Sequence, residues 1–382
     1  MNSIREYFKP KKWVILGGLA FGILGALLVN WGNPGNMGTC VACFVRDITG
    51  ALGLHQAGVV QYIRPEIIGF GLGAFITALA FREWRPRGGS SPLIRFFLGA
   101  FAMIGALVFL GCPVRLLLRL GGGDLNAIIG LAGLVFGIAV AVFFLKKGFS
   151  LGRSGKMHPL VGLIMPMILV GLLVFAIFET TQGLDVIKTS ESGPGSMLAP
   201  LAVSLVVGLA VGFIFQRTRL CTVGAFRDVM LVRSTHLLSG IIAIVIGVLV
   251  TNYIVGNFAE GGWVASSVAE NGEVVTRDIV YNWGFENQPV AHNNHLWNFL
   301  GMSLAGMAFI LAGACPLRNF IISGEGDTDA GVFILGLIAG AAFAHNFGLA
   351  AGPSGIGTNT IVAVFVGLAF CLTVGFFMRQ KA

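Results

Sequence analysis

Six cysteines stand in this chain of 382 residues: Cys40, Cys43, Cys112, Cys221, Cys315 and Cys371. Four of them stand in two recurring cysteine–arginine patterns. Cys112-Pro113-Val114-Arg115 and Cys315-Pro316-Leu317-Arg318 share the pattern C-P-x-R. Cys40 to Arg46-Asp47 and Cys221 to Arg227-Asp228 share C-x5-R-D. Proline at a first helical position loses no hydrogen bond, so the cysteine before it falls in the cap region, near free N–H groups and the positive end of the dipole. Such a position favours an anion. A polarizable thiol suits a large, soft anion containing sulfur or selenium better than a small, hard one.

Each residue also has a plainer reading. A free cysteine often serves as a small buried hydrophobe, which is the expectation for Cys371 inside the last apolar run. Cys43 has no repeat partner, because Gly224 takes its place. Cys40 and Cys43 form a CxxC, a weak signal alone, and zinc would need a second ligand pair or a well-spaced histidine. Arg46 and Arg227 either pair locally with Asp47 and Asp228 or draw an anion to an entrance. Arg115 and Arg318, nearer their cysteines, are candidates for guiding that anion. Asp124 and Asp327 follow Gly-rich turns and suit helix capping. Glu66, after Arg64-Pro65, either benefits from a helix N-terminus or carries a proton. No Walker A, HExxH or GxSxG pattern occurs, so no ATP use, metal, cofactor or enzymatic activity is expected.

The elements that must hold these residues are apolar. The chain is 55% hydrophobic and 11% charged, against roughly 25% charged in soluble proteins. Runs of about 17 to 22 apolar residues match a ~30 Å hydrocarbon core and do not alternate as barrel strands do. Ten spanning helices are expected at 13–29, 63–81, 93–110, 125–145, 159–178, 198–215, 236–254, 296–312, 331–347 and 359–378. Four shorter pieces, 40–52, 112–120, 221–232 and 315–323, are too short to span and are expected to re-enter the membrane or lie at its surface.

The net charge of +8 comes from Lys and Arg beside these runs, which argues for orientation in a bilayer rather than nucleic-acid binding. Arg82, Arg85, Arg87, Lys146, Lys147, Arg217, Arg219, Arg379 and Lys381 fall on one side, whereas 179–197 and 255–295 are acidic. Both termini are therefore expected in the cytoplasm.

The two motifs recur in the same order, and Gly121-Gly122-Gly123-Asp124 matches Gly324-Glu325-Gly326-Asp327. The expectation is a duplication, 1–190 and 191–382, the second half carrying the outer loop 255–295. Five spanning helices per half make the second repeat inverted, a recurrent transporter plan. The fold class is thus all-α integral membrane, with about ten transmembrane helices and two inverted pseudo-symmetric repeats.

The paired C-x5-R-D and C-P-x-R elements, with the Gly-rich turns after them, resemble the YeeE/YedE sulfur-transport family over essentially the whole chain. The resemblance implies an inner-membrane permease of bacteria that imports thiosulfate along a cysteine-lined path by transient S–H···S hydrogen bonds. It places Cys112, Cys221 and Cys315 in that relay, with Cys40 as the fourth repeat-matched cysteine. It also implies a cytosolic sulfurtransferase-type partner. Cys43, the loop 255–295 and Gly38-Thr39-Cys40-Val41-Ala42-Cys43-Phe44 look closer to a branch proposed to move selenium compounds. Three alternatives stay open: a membrane thiol-disulfide oxidoreductase using Cys40 and Cys43, a scaffolding subunit, and a passive channel.

Overall fold

The computed structural model describes residues 11–182, 187–255 and 283–379. Its helices are α1 Lys11–Asn30, α2 Val41–Ala51, α3 Pro65–Ala80, α4 Pro92–Val108, α5 Pro113–Gly121, α6 Asn126–Lys146, α7 Pro159–Gly162 and α8 Ile164–Gln182. They continue as α9 Leu201–Thr218, α10 Thr222–Val232, α11 His236–Ile254, α12 His295–Ala312, α13 Pro316–Gly324, α14 Thr328–Asn346 and α15 Thr358–Phe377. Two short strands, β1 Arg87–Gly88 and β2 Gly155–Lys156, pair antiparallel. Among the described residues, nine helical stretches are long and apolar enough to cross a membrane. The 16-residue α3 is a shorter apolar helix. This is a mostly helical, multi-span membrane fold, in which helices satisfy every backbone group that lipid cannot.

Proline opens α3, α4, α5, α7 and α13, where its missing N–H costs nothing. The expected helix at 159–178 is broken. A single turn, Pro159–Gly162, ends at Leu163 before α8 begins, and Pro166 falls in the first turn of α8. A continuous helix would have put that proline in its interior, where it removes a hydrogen bond and clashes with the preceding turn. Lys381, on the basic side of the expected charge asymmetry, and most of the loop 255–295 lie outside the described residues.

The helices pack in long pairs: α1 on α11, α3 on α9, α6 on α12 and α4 on α14, with α4 also against α12. Glycine makes the closest crossings. A Cβ added to Gly69 of α3 would sit 2.6 Å from the Gly208 Cα of α9. The short helices sit between long ones: α2 against α14, α10 against α6 and α11, α5 against α11, and α13 against α3 and α14. Outside this body, α8 lies on α3 and α13, whereas α15 lies on α12 and α4.

Candidate functional site

All four repeat-matched cysteines are helix N-caps: Cys40 for α2, Cys112 for α5, Cys221 for α10 and Cys315 for α13. Three use sulfur as the capping acceptor. Cys40 Sγ accepts from Cys43 N at 3.4 Å, Cys221 Sγ from Gly224 N at 3.4 Å and Cys315 Sγ from Arg318 N at 3.5 Å. Cys112 makes no such bond to its own helix. A thiol is a weak cap, but the position sets each sulfur at the positive end of a helix.

The turns that deliver Cys112 and Cys315 rest on a left-handed residue. Gly313 after α12 adopts φ +109°, as glycine does freely. At the matching place Leu110 is held at φ +62°, a conformation that costs a residue with a Cβ about 1–2 kcal/mol.

The cysteines gather in two groups. Cys40 Sγ lies 2.8 Å from Cys43 Sγ and 3.9 Å from Cys112 Sγ. Cys43 Sγ lies 3.8 Å from Leu110 O, a carbonyl that also accepts from Arg115 Nη1. Cys221 and Cys315 lie near enough to influence one another electrostatically. Cys371 is buried in α15, apart from both groups.

Four buried arginines surround the first group. Arg46 Nη2 and Arg64 Nε reach the two oxygens of Asp47 at 2.7 Å and 2.8 Å. Arg64 also donates to Met197 O and Pro194 O and lies over the Phe44 ring. Arg119 Nε pairs with Asp124 Oδ2 at 2.6 Å. Among the described residues the acceptors of Arg115 are all backbone carbonyls, those of Asn36, Leu110, Pro289 and Val290. Among the described residues the buried carboxylates of this region are Asp47, Asp124 and Glu66, one fewer than the arginines. Nearby, Glu66 Oε1 accepts from Asn33 Nδ2 at 2.6 Å and Ser204 Oγ at 2.8 Å, with no ion pair among the described residues.

The second group faces a different arrangement. Arg318 donates to Phe215 O at 3.1 Å and reaches Glu325 Oε1 at 3.3 Å. Arg219 bridges Glu325 and Glu83 at 2.5 Å and 2.7 Å, and Arg217 joins Glu83 at 3.2 Å. Arg227 pairs with Asp228 at 2.8 Å with both side chains part-exposed. Asp327 caps α14 through Ala330 N, whereas Asp124 is given to Arg119 and to Asn126.

Two loops close over the first group. Lys188 N donates to Ala51 O and Ser190 N to Gln61 O, and every residue of α2 is buried. On the other flank, Gly284, Phe285, Pro289, Val290 and His292 bond to the turn after α5, to Arg115 and to Val108 O. His55 and His292 share one local form: Nδ1 accepts from the backbone two residues on, and Nε2 meets a carbonyl. Burial pushes both imidazoles below their ordinary value, which keeps them neutral. In α10 only Thr222 to Ala225 are buried.

Arg64, Arg119, Glu83, Arg219 and Glu325 belong to these networks although the motifs do not single them out. Arg119 had a usable signal, an i,i+4 relation to Arg115 on one helix face. Two cavities, about 500 Å³ beside Phe96 and Phe343 and about 340 Å³ beside Met157 and Leu335, have mostly apolar walls and contain no cysteine. Neither the protein-family models nor the curated proteins hold a match to this sequence.

Proposed function

We propose that this chain is a permease of the bacterial inner membrane that imports a small sulfur-containing dianion, thiosulfate above others. The anion passes from the Cys40–Cys112 group to the Cys221–Cys315 group by transient S–H···S hydrogen bonds. The observation that carries this reading is the pairing itself. Four repeat-matched cysteines each stand at a helix N-terminus, and the sulfurs of Cys40 and Cys112 come within 3.9 Å although 72 residues separate them.

The excess of buried arginine over carboxylate at the first group, among the described residues, supports an anionic substrate. Selectivity over sulfate follows from the lining. Stripping water from a small, hard anion is costly, and thiols return only weak hydrogen bonds. A soft terminal sulfur loses less and gains more from polarizable neighbours.

The inverted-repeat arrangement, with five spanning helices per half divided near residue 190, belongs to the same proposal. The packing supports it for the first four spanning helices of each half. The contact of α1 with α11 has its exchanged counterpart in α9 with α3, and α6 with α12 has its counterpart in α14 with α4. Likewise α2 with α14 answers α10 with α6, and α5 with α11 answers α13 with α3. The fifth helices, α8 and α15, break this exchange. On the proposed topology both termini are cytoplasmic, α2 and α5 open toward the outside, and a cytosolic sulfurtransferase-type protein receives the product.

The test is uptake by proteoliposomes, with thiosulfate, sulfite, sulfate, selenite and selenosulfate in competition. Thiosulfate should compete best. Preference for selenosulfate would move the assignment to a selenium carrier using the same path, and entry of no chalcogen anion would sink the permease reading.

A further inference from the structure

We infer that Cys40 and Cys43 form a reversible oxidation site, whose disulfide shuts the first cysteine group. The shutting rests on the permease reading; the site itself does not. Both residues occupy the first turn of one helix, Cys40 at the N-cap and Cys43 three residues on. Side chains three apart on a helix have Cβ atoms about 5–6 Å apart, so rotation about the side-chain bonds and a small settling of the first turn unite the sulfurs. The thiols already touch at 2.8 Å, and Cys43 N points at the Cys40 sulfur.

The second group lacks this device. Gly224 stands where Cys43 would be, and Cys221 and Cys315 belong to separate helices. Cys43 is therefore a thiol added to one group only, placed beside the sulfur that Cys112 also meets at 3.9 Å.

The oxidant class is a hydroperoxide small enough to reach a buried thiol. One thiolate attacks a peroxide oxygen, the O–O bond breaks, and water leaves behind a sulfenic acid. The second thiol's sulfur then displaces that hydroxyl, which leaves as water with the thiol's proton. Two thiols and one hydrogen peroxide give one disulfide and two waters, with two electrons passing from sulfur to oxygen. A small dithiol reverses the step by exchange. In the disulfide, Cys40 has no S–H to donate, and its sulfur is turned from Cys112 toward Cys43.

The experiment treats the purified full chain, in proteoliposomes, with hydrogen peroxide. Free thiols are then alkylated and non-reduced peptides mapped by mass spectrometry, with uptake measured in parallel. The inference expects one peptide carrying Cys40 and Cys43 unalkylated and lighter by two hydrogens, reversed by dithiothreitol. It also expects uptake to fall at least several-fold and to recover with the same reductant. In Cys43→Gly the ratio of uptake with and without peroxide should stay near unity. Alkylation of both cysteines after peroxide, a disulfide confined to Cys221 and Cys315, or undiminished peroxide sensitivity in Cys43→Gly would each overturn the inference. A Cys40–Cys43 disulfide in a chain that carries no chalcogen anion would remove the permease reading and leave the oxidation site standing.

Discussion

The group around Cys40 and the group around Cys221 grow from the same spacing of cysteine, arginine and aspartate, yet their surroundings diverge. The first has three thiols, arginines that outnumber the described carboxylates, and loops tied over both flanks. The second has two thiols, an arginine shared with Glu325, and a short helix whose last two turns are only partly covered. One end of the proposed path thus holds charge without exposure, and the other trades charge for access. A site that must capture a dilute dianion and one that must release it have opposite needs. The asymmetry fits the inward direction. An inside-negative potential opposes that direction by about 4.6 kcal/mol per 100 mV for a dianion, so tight capture alone does not drive uptake.

The comparison breaks most visibly at the buried ion pairs. Arg119→Leu leaves Asp124 buried without its partner and should cost about 3–5 kcal/mol of stability, read as a lower melting temperature in detergent. Arg87→Leu removes an equally short pair with Asp327, but one whose arginine side chain is 39% exposed, and should cost less than about 1 kcal/mol. Equal losses would show that the two ends do not differ in burial.

Next come the thiols of the proposed relay. On the proposed path Cys112→Ala and Cys315→Ala each remove one weak S–H···S hydrogen bond, worth about 0.5–1.5 kcal/mol, so uptake should fall roughly 2- to 12-fold in either variant. Loss in one group alone would end the claim that they act in series. Labelling sharpens the same contrast. Cys221, 7% exposed, should react with a maleimide added to the cytoplasmic face before Cys40 or Cys112, which are fully buried. The reverse order would place the open end on the other side.

The smallest effect concerns pH. His55 and His292 are neutral in the fold and pushed below 6.5, so the unfolded chain binds more protons between that lowered value and 6.5. Stability should therefore decline as pH drops below about 6.5. His55→Gln should flatten the slope of melting temperature against pH. An unchanged slope would show that His55 adds nothing to the covered flank.

Much of this architecture is legible in sequence because its causes are local. Proline after cysteine fixes Cys112 and Cys315 as caps, and i,i+3 spacing brings Cys40 to Cys43. The Arg46–Asp47 and Arg227–Asp228 pairs join neighbours in the chain. What escaped depends on chain return. Arg64 reaches Asp47 across 17 positions, and Pro289 meets Arg115 across 174. Asp124 and Asp327 occupy matched places after matched turns, but only Asp327 is the N-cap itself; Asp124 stands one residue earlier and still accepts from Asn126 N, the first N–H of α6. Arg119 claims Asp124, and the second repeat has Ile322 where Arg119 would be.

The crossed packing bears on how the protein is made. Each of α1, α3, α4 and α6 finds its longest partner among α9 to α14, with Gly69 and Gly208 pressed backbone to backbone. A ribosome that has delivered only the first half has therefore inserted helices whose mates do not yet exist. These helices must wait in lipid, or in the care of the insertion machinery, until synthesis passes α11 and then α14. Severed halves expressed together would each insert with these interfaces unmade and would have to find one another in the bilayer before the body could close.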